Sequence, residues 1–378
     1  MPAGQDYVWV DSQETLREML DRLQDAPIVA VDTESDSLYA YFEKVCLLQF
    51  SIEGTDFLVD PLSVNVEPLG QLFASEWHEK VFHASEYDIL CLKRDYHFEF
   101  NNLFDTMIAA RLLGWKRYGL APILEERFNV RLNKNLQRYD WGMRPLANEA
   151  LSYARFDTHY LLPLREMQRQ ELQIRNRLEE AYQVSQRQAR AEPSPKVFDP
   201  DDFWRIKGAR YLNPEQQAVL REVFIFRDAL ARQLDRPPFK VLSNAALVSL
   251  ATTIPASRRE LDHIKGLSHR MRNQYAHDLL QAIVRGLDAS PPRYPRNSHN
   301  KRDTETEANY ELLRTWRNEL AQARNVEPDI ILTNHTLMAL AQQAPRTHKA
   351  LAQVEALDDW QRDTYGAAIL KVLKSDRH

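Results

Sequence analysis

The apolar run Ile28-Val29-Ala30-Val31 leads straight into Asp32-Thr33-Glu34-Ser35-Asp36-Ser37-Leu38. A short run rich in Ile and Val reads as a buried strand. Residues two apart on a strand point the same way, so Asp32 and Glu34 share one side of its end. Two carboxylates facing one volume repel unless a cation lies between them. A divalent metal held by hard oxygen ligands meets that need. A solvated acidic turn is the plainer alternative, and the rest of the chain has to decide between them.

At 378 residues the chain is too long for one ordinary core, and two or three domains are expected. Residues 1–200 carry 22 Lys and Arg against 32 Asp and Glu, whereas residues 201–378 carry 27 against 22. An acidic front and a basic rear suit different tasks, the rear being better fitted to a polyanion. Cys46 and Cys91 both lie in apolar runs and have no CxxC partner. That excludes a zinc finger and a disulfide framework, and leaves two small core residues. The stretch Met1–Ser12 is polar and acidic, and no run approaches the length of a membrane span. A cytoplasmic location is expected.

Two Pro-rich stretches read as linkers: Ala191-Glu192-Pro193-Ser194-Pro195, and Ser290-Pro291-Pro292-Arg293-Tyr294-Pro295 running on to Asp303. Before the first, strands are expected at 28–32, 45–52, 56–60 and 80–83. Helices are expected near 12–24, 67–75, 86–96, 103–113, 119–128 and 147–181. Hairpin-connected strands followed by β-α-β units indicate α/β architecture, a mixed sheet with flanking helices. After residue 200 no strand is apparent, and the chain repeats itself without a gap at an offset of 90. Phe226-Arg227 matches Trp316-Arg317, Leu242-Ser243-Asn244 matches Leu332-Thr333-Asn334, and Tyr275 matches Tyr365. Two copies of one small all-α bundle explain this pattern. Gly266 of the first copy becomes Ala356 in the second, which matters only where that position needs a left-handed backbone or a close approach.

Three further segments place acids where helices meet strands: Phe82-His83-Ala84-Ser85-Glu86-Tyr87-Asp88, Phe104-Asp105-Thr106 at the head of an apolar helix, and Tyr153-Ala154-Arg155-Phe156-Asp157. Tyr153 and Asp157 are one helical turn apart and share a face. Singly, each acid has a bland reading as a helix N-terminal residue favoured by the dipole. Together their order resembles the DEDD 3′→5′ exonucleases of the tyrosine subtype, and in particular the ribonuclease D family. VDTESDSL resembles that family's first motif, FHASEYDIL its second, YARFDTHYLL its third, and WGMRPL a further signature. The repeated bundles resemble tandem HRDC domains. The resemblance implies a ribonuclease H-like nuclease domain over 1–195 and HRDC domains over 204–289 and 303–378.

It also implies chemistry. Asp32, Glu34, Asp88 and Asp157 would hold two Mg²⁺ or Mn²⁺ ions, with Asp32 touching both and Asp88 acting mainly through water. Two such ions stabilise both the attacking and the leaving oxygen of a phosphodiester. Tyr153, with an ordinary pKa of about 10, is a poor base and would aim the attacking water. His159 lies on a different helix face from Asp157 and is not assigned as the base. Leu38 would wedge against the 3′-terminal base, and Thr33 and Arg144 complete the expected substrate contacts. Lys134 and Arg138 are further candidates for phosphate. The side chain of Thr33, between the acids, is expected to point away from them. The implied function is a 3′→5′ exoribonuclease that trims tRNA precursors and small structured RNAs to nucleoside 5′-monophosphates as a monomer. The alternatives are a DNA exonuclease of the same chemistry and a non-catalytic RNA-binding protein.

Overall fold

A computed structural model of the chain describes residues 7–295 and 304–374. The outermost ends of the expected first and last domains, and the basic end of the second linker, lie outside the described residues. The strands are β1 (Val8–Val10), β2 (Ile28–Ser35), β3 (Val45–Ile52), β4 (Thr55–Val59), β5 (Glu79–Phe82) and β6 (Leu103–Asp105). The helices flanking the sheet are α1 (Gln13–Gln24), α2 (Gly70–Ala74), α3 (Glu86–Tyr96), α4 (Thr106–Leu112), α5 (Leu120–Phe128), α6 (Asn148–His159), α7 (Leu161–Ile174) and α8 (Leu178–Ala189). The first bundle holds α9 (Pro214–Gln233), α10 (Pro238–Val241), α11 (Asn244–Thr253), α12 (Arg258–Leu261), α13 (His269–Gln274) and α14 (Ala276–Asp288). The second repeats this with α15 (Thr304–Arg324), α16 (Pro328–Ile331), α17 (Asn334–Gln343), α18 (His348–Leu351) and α19 (Asp359–Lys374).

The six strands form one mixed sheet in the order β1-β4-β3-β2-β5-β6. β2, β3 and β4 are an antiparallel meander, and β5 and β6 add to β2 in parallel. β3 is buried from Val45 to Ser51, because helices cover both faces of the sheet; such strands read as continuous apolar runs. One face packs Leu16, Met19 and Leu23 of α1 against Phe50, Phe57 and Phe73. The other packs α4 and α7 against Phe104, and α6 against Cys46 and Leu58. Both cysteines are buried and unpaired. No helix among the described residues is long and apolar enough to cross a membrane.

Three expectations need correction. β1 lies within the polar N-terminal stretch and pairs in parallel with β4 through Val8, Trp9 and Val10. The helix expected from 103 begins with a strand instead, and Asp105 is its N-cap, accepting from Met107 N and Ile108 N. The long helix expected over 147–181 is broken into α6, α7 and the start of α8, with a turn before Leu178.

The repeat is real at the level of single hydrogen bonds. Arg227 Nη1 donates to Leu242 O and Asn244 Oδ1, and Arg317 Nη1 donates to Leu332 O and Asn334 Oδ1. Gly266 has φ +87° and Ala356 is absent from the left-handed region. In the second copy Thr336 Oγ1 instead donates to Ala356 O at 3.1 Å.

Both bundles dock on the N-terminal α/β domain through the corner after their long helix. Asp235, at φ +44°, accepts from the backbone N–H of Tyr41 and of Phe42 at 3.0 and 3.1 Å. Its counterpart Asn325, at φ +53°, brings its carbonyl against Gly114. The second bundle adds Arg111 with Glu327 and Asp329, each at 2.6 Å, and a cluster of Arg324, Glu180 and Tyr365.

In the first bundle, α14 crosses α9 with Gly286 against backbone. A Cβ there would lie 2.5 Å from Val219 Cα and 2.9 Å from Val219 N. Backbone cannot give way as a side chain can, so Gly286→Ala should cost about 2–3 kcal/mol, the upper part of the overpacking range. Urea denaturation reads this directly, and an unchanged midpoint would mean that the two helices part freely.

Candidate active site

β2 is pinned between β3 and β5, and its ladder with β3 slips between Glu34 and Ser35. The strand end therefore presents Asp32 and Glu34 from a fixed backbone. α6 lies across β3 and β4 and brings Asp157 to the same place; one carboxylate oxygen each of Asp32, Glu34 and Asp157 fall within 4.8 Å of one another. Tyr153, one turn earlier on α6, is buried beside them. Asp88 comes from the first turn of α3 and stands outside this triad. It is held by Thr33, whose Oγ1 donates to Asp88 Oδ1 at 2.5 Å.

The electrostatics are those of a buried anionic cluster. Asp32 and Glu34 keep some surface open but are otherwise ringed by protein. Burial pushes both well above the usual carboxylate range, and the neighbouring carboxylates push further. Burial and Asp88 raise Asp157 to about 8. Burial raises Asp88 to about 7, against the opposing hydrogen bond from Thr33. Burial, then Asp157, Glu34 and Asp32, raise the Tyr153 phenol, so it keeps its proton at neutral pH. None of the influences on Glu34 or Asp157 comes from a basic side chain. An all-oxygen set of this kind fits Mg²⁺ or Mn²⁺ and gives no reason to expect a soft metal.

A residue the motif reading passed over builds the second motif. Asp105 accepts from Ala84 N, Ser85 N and Ser85 Oγ while capping α4. It thereby holds Ala84 at φ +64°, a conformation that costs a non-glycine residue about 1–2 kcal/mol. That turn starts α3 and aims Asp88. Ser185 and Gln188 of α8 close over it from behind. The available signal was an Asp heading an apolar helix, which is what an N-cap looks like.

Two of the expected substrate contacts come out differently. Thr33 does not point away from all the acids: its buried side chain is committed to Asp88, and positions that acid. Arg144 offers no free donor to a phosphate. Its Nε and Nη2 pair with Asp60 at 2.8 and 2.6 Å, Nη2 also reaches Cys46 O, and Nη1 reaches Trp141 O and Met143 O. Five backbone and carboxylate contacts use the whole guanidinium. Leu38 is 39% exposed on the loop from Asp36 to Lys44, beside the strand end. That loop is closed by Lys44 on Asp36 at 2.7 Å and gripped by the first bundle, where Asp228 accepts from Tyr41 Oη at 2.9 Å. Arg138 is exposed; the side chain of Lys134 lies outside the described residues. His159 bonds Asp56 Oδ2 at 2.8 Å, away from the acids.

Two expectations follow from this geometry. In the metal-free protein, carboxyls raised to about 7 and 8 make the folded state hold more protons than the unfolded one from roughly pH 4 upward. Stability from these groups is present at low pH and is lost as pH rises through 7–8. Metal binding needs the deprotonated carboxylates, so Mg²⁺ should raise the thermal midpoint more at about pH 8.5 than at about pH 6. A Mg²⁺ shift independent of pH would contradict the site. Separately, Arg144→Ala should strand the buried Asp60 and cost about 3 kcal/mol. A phosphate-holding role would leave the denaturation midpoint unchanged.

A family model described as 3′-5′ exonuclease matches residues 7–173, and the HRDC domain model matches twice, at 216–283 and 306–373. The chain is 34% identical over 264 residues to the exosome complex exonuclease RRP6 of Saccharomyces cerevisiae, covering 66% of this chain and 36% of that protein. It is 28% identical over 358 residues to ribonuclease D of Nitrobacter hamburgensis, covering 92% of this chain and 90% of that one. The solved catalytic core of RRP6 from Trypanosoma brucei matches with a TM-score of 0.70 and 31% identity, over 76% of this chain and 81% of that one. The chain thus spans about a third of the length of the RRP6-type relative and nearly all of the bacterial one. A sheet that gathers the exonuclease acids at one strand end, followed by two HRDC copies, places this chain in the ribonuclease D family of 3′-5′ exonucleases.

Proposed function

We propose that this chain is a hydrolytic 3′→5′ exoribonuclease. It takes RNA with a free 3′ end, releases nucleoside 5′-monophosphates, and works as a monomer on tRNA precursors and other small structured RNAs. The observation that carries the reading is the convergence of Asp32, Glu34 and Asp157 within 4.8 Å, from two separate elements. RNA as substrate draws support from the relatives: one is named ribonuclease D and another an exosome exonuclease.

Two divalent ions fit the reading, held by Asp32, Glu34 and Asp157, with Asp88 supporting the second. When bound, such ions neutralise the phosphoryl charge and lower the pKa of an attacking water. The chain's own residues do the rest. Tyr153 keeps its proton, so it orients a water by hydrogen bonding and does not deprotonate it. Thr33 fixes Asp88 from the far side of the strand. Leu38 presents an apolar surface that any base can meet, which suits an enzyme that cannot choose its terminal nucleotide. Glu34 would also accept a hydrogen bond from the terminal 3′-hydroxyl, which would enforce a free 3′ end.

The test is Asp32→Asn on a labelled single-stranded RNA with Mg²⁺. Mononucleotide release should fall at least about a thousandfold, equivalent to losing about 4 kcal/mol of transition-state stabilisation, with circular dichroism unchanged. Undiminished release by the variant would overturn the reading. Matched DNA, and RNA blocked at its 3′ end, should both be poor substrates. Equal turnover of DNA would replace the proposal with a DNA exonuclease, and RNA binding without any product at any Mn²⁺ level would replace it with a non-catalytic binder.

A further inference from the structure

The sheet face that carries the acids holds one more polar side chain that the site has not yet used. Asp32 of β2 and Gln49 of β3 stand directly opposite each other in the ladder. Residues paired in this way project to the same face, with their Cβ atoms about 5 Å apart. The neighbours of Gln49 along β3 show which face that is. Leu47 packs in the cluster that holds Tyr153 and Ala154 of α6, and Ser51 bonds Thr158 of α6 at 2.8 Å. Gln49 lies between them on the same side of the strand, beneath the stretch of α6 that carries Asp157.

Gln49 is fully buried, and neither its Nε2 nor its Oε1 has a hydrogen-bond partner among the described residues. The rest of its surroundings explains why. On β4 it stands opposite Leu58, which is equally buried. The hydroxyl of Ser51 is engaged with Asp56 and Thr158. Burying an amide with both ends unpaired is unfavourable, and an apolar side chain of the same shape avoids the penalty. Val45, Leu47, Leu48 and Phe50 of the same strand are all buried and apolar, so nothing in the packing of β3 calls for an amide at 49. The polar groups that remain near it are carboxylates, Asp32 across the ladder and Asp157 on the helix above.

We infer that Gln49 is a further residue of the metal site, its amide orienting the waters and carboxylate oxygens around the ions that Asp32 and Asp157 bind. This deepens the exoribonuclease reading and rests on it. Mg²⁺ gives up its waters reluctantly and keeps several when a few carboxylates hold it. Such a water donates its protons, and Oε1 is an acceptor for one of them. An ionised carboxylate offers no donor, so Nε2 adds what the acids lack, a hydrogen bond to a carboxylate oxygen that the metal leaves free. Gln49 is therefore a positioning residue, acting on the phosphodiester only through the groups it orients. Partners of metal ligands that act in this way are worth about tenfold to a hundredfold in metal affinity. An orphaned amide in the metal-free chain is what such a role requires, because its partners arrive with the ions.

The experiment follows the thermal midpoint of the full chain as Mg²⁺ is added, without RNA, at about pH 8.5, where the carboxylates ionise most readily. Gln49→Met keeps the length of the side chain and removes the amide. Its apparent Mg²⁺ affinity should fall at least about tenfold. Its midpoint without metal should equal or exceed that of the wild type, since no hydrogen bond within the chain is lost. Gln49→Asn, which keeps the amide but withdraws it by one methylene, should weaken Mg²⁺ in the same direction and guards against a packing defect peculiar to Met. With RNA present, Gln49→Met should need about ten times more Mg²⁺ for half-maximal mononucleotide release and should approach the wild-type rate at saturation, a split that a merely structural role does not produce. Wild-type Mg²⁺ affinity in both variants would overturn the inference; with a lowered metal-free midpoint beside it, the amide would belong to the fold alone. Because Mg²⁺ binding is read without RNA, that result is distinguishable from failure of the exoribonuclease reading, which would appear as no mononucleotide release by the wild-type chain.

Discussion

Repulsion among the carboxylates of Asp32, Glu34, Asp157 and Asp88 is the constraint around which the nuclease domain is arranged. Among Asp32, Glu34 and Asp157, at separations under 5 Å and an effective dielectric near 20, each ionised pair costs on the order of 3 kcal/mol. A loose loop would relieve that by moving. Here nothing can move: Asp32 and Glu34 are on a strand paired on both sides, and Asp157 is on a helix seated on the sheet. Asp88 is tied by Thr33, and its helix begins at a turn fixed by Asp105. Rigid, buried scaffolding keeps the four acids together, so their pKa values rise instead of the acids dispersing. A site held this way is ready for metal with little reorganisation, the condition under which electrostatic stabilisation counts most.

The acid cluster was legible in the sequence because each acid sits at a fixed step from an apolar run whose period is plain. Alternation places Asp32 and Glu34 on one side, and helical spacing stacks Tyr153 over Asp157. Interactions that join distant segments were not legible. Arg144 looks like a phosphate ligand until its partner Asp60, 84 positions earlier, comes into view. Thr33 looks idle until Asp88 arrives from 55 positions away. β1 and β6 escaped for a different reason: three residues are too few for a period to show, and pairing with β4 and β5, not propensity, makes them strands. Asp105 was visible as an N-cap, but its grip on Ala84 and Ser85 depends on β5 and β6 lying side by side.

The bundles reach the catalytic region by a shared device. Asp235 and Asn325 occupy the same place in the repeat, both with a left-handed backbone, and both meet the nuclease domain. Each corner contributes a backbone-directed contact: Asp235 gathers two consecutive N–H groups of the loop that carries Leu38, and Asn325 presents its carbonyl to Gly114. Contacts to main chain tolerate sequence drift in a way that side-chain pairs do not. The corner was therefore free to dock on two unlike surfaces, the loop after β2 in one case and the end of α4 in the other. The first of these fixes the loop that carries Leu38, since a loop with an exposed leucine holds its shape only if something behind it does. Tyr41, buried under the first bundle with its hydroxyl on Asp228, is that support.

A nuclease of this design faces an electrostatic contradiction. Its catalytic end must be rich in carboxylates to hold divalent ions, yet its substrate is a polyanion that those carboxylates repel whenever the ions are absent. Residues 1–200 carry ten more acids than bases, so the nuclease domain alone is poorly suited to capture RNA. Screening sets the length scale on which a remedy can work: with a Debye length of about 8 Å at physiological salt, a basic surface placed farther away neither neutralises the metal site nor is neutralised by it. The basic excess of this chain falls in residues 201–378, outside the domain that carries the acids. The second bundle brings one of its own acids to that domain, where Asp358 pairs with Arg187 at 2.7 Å.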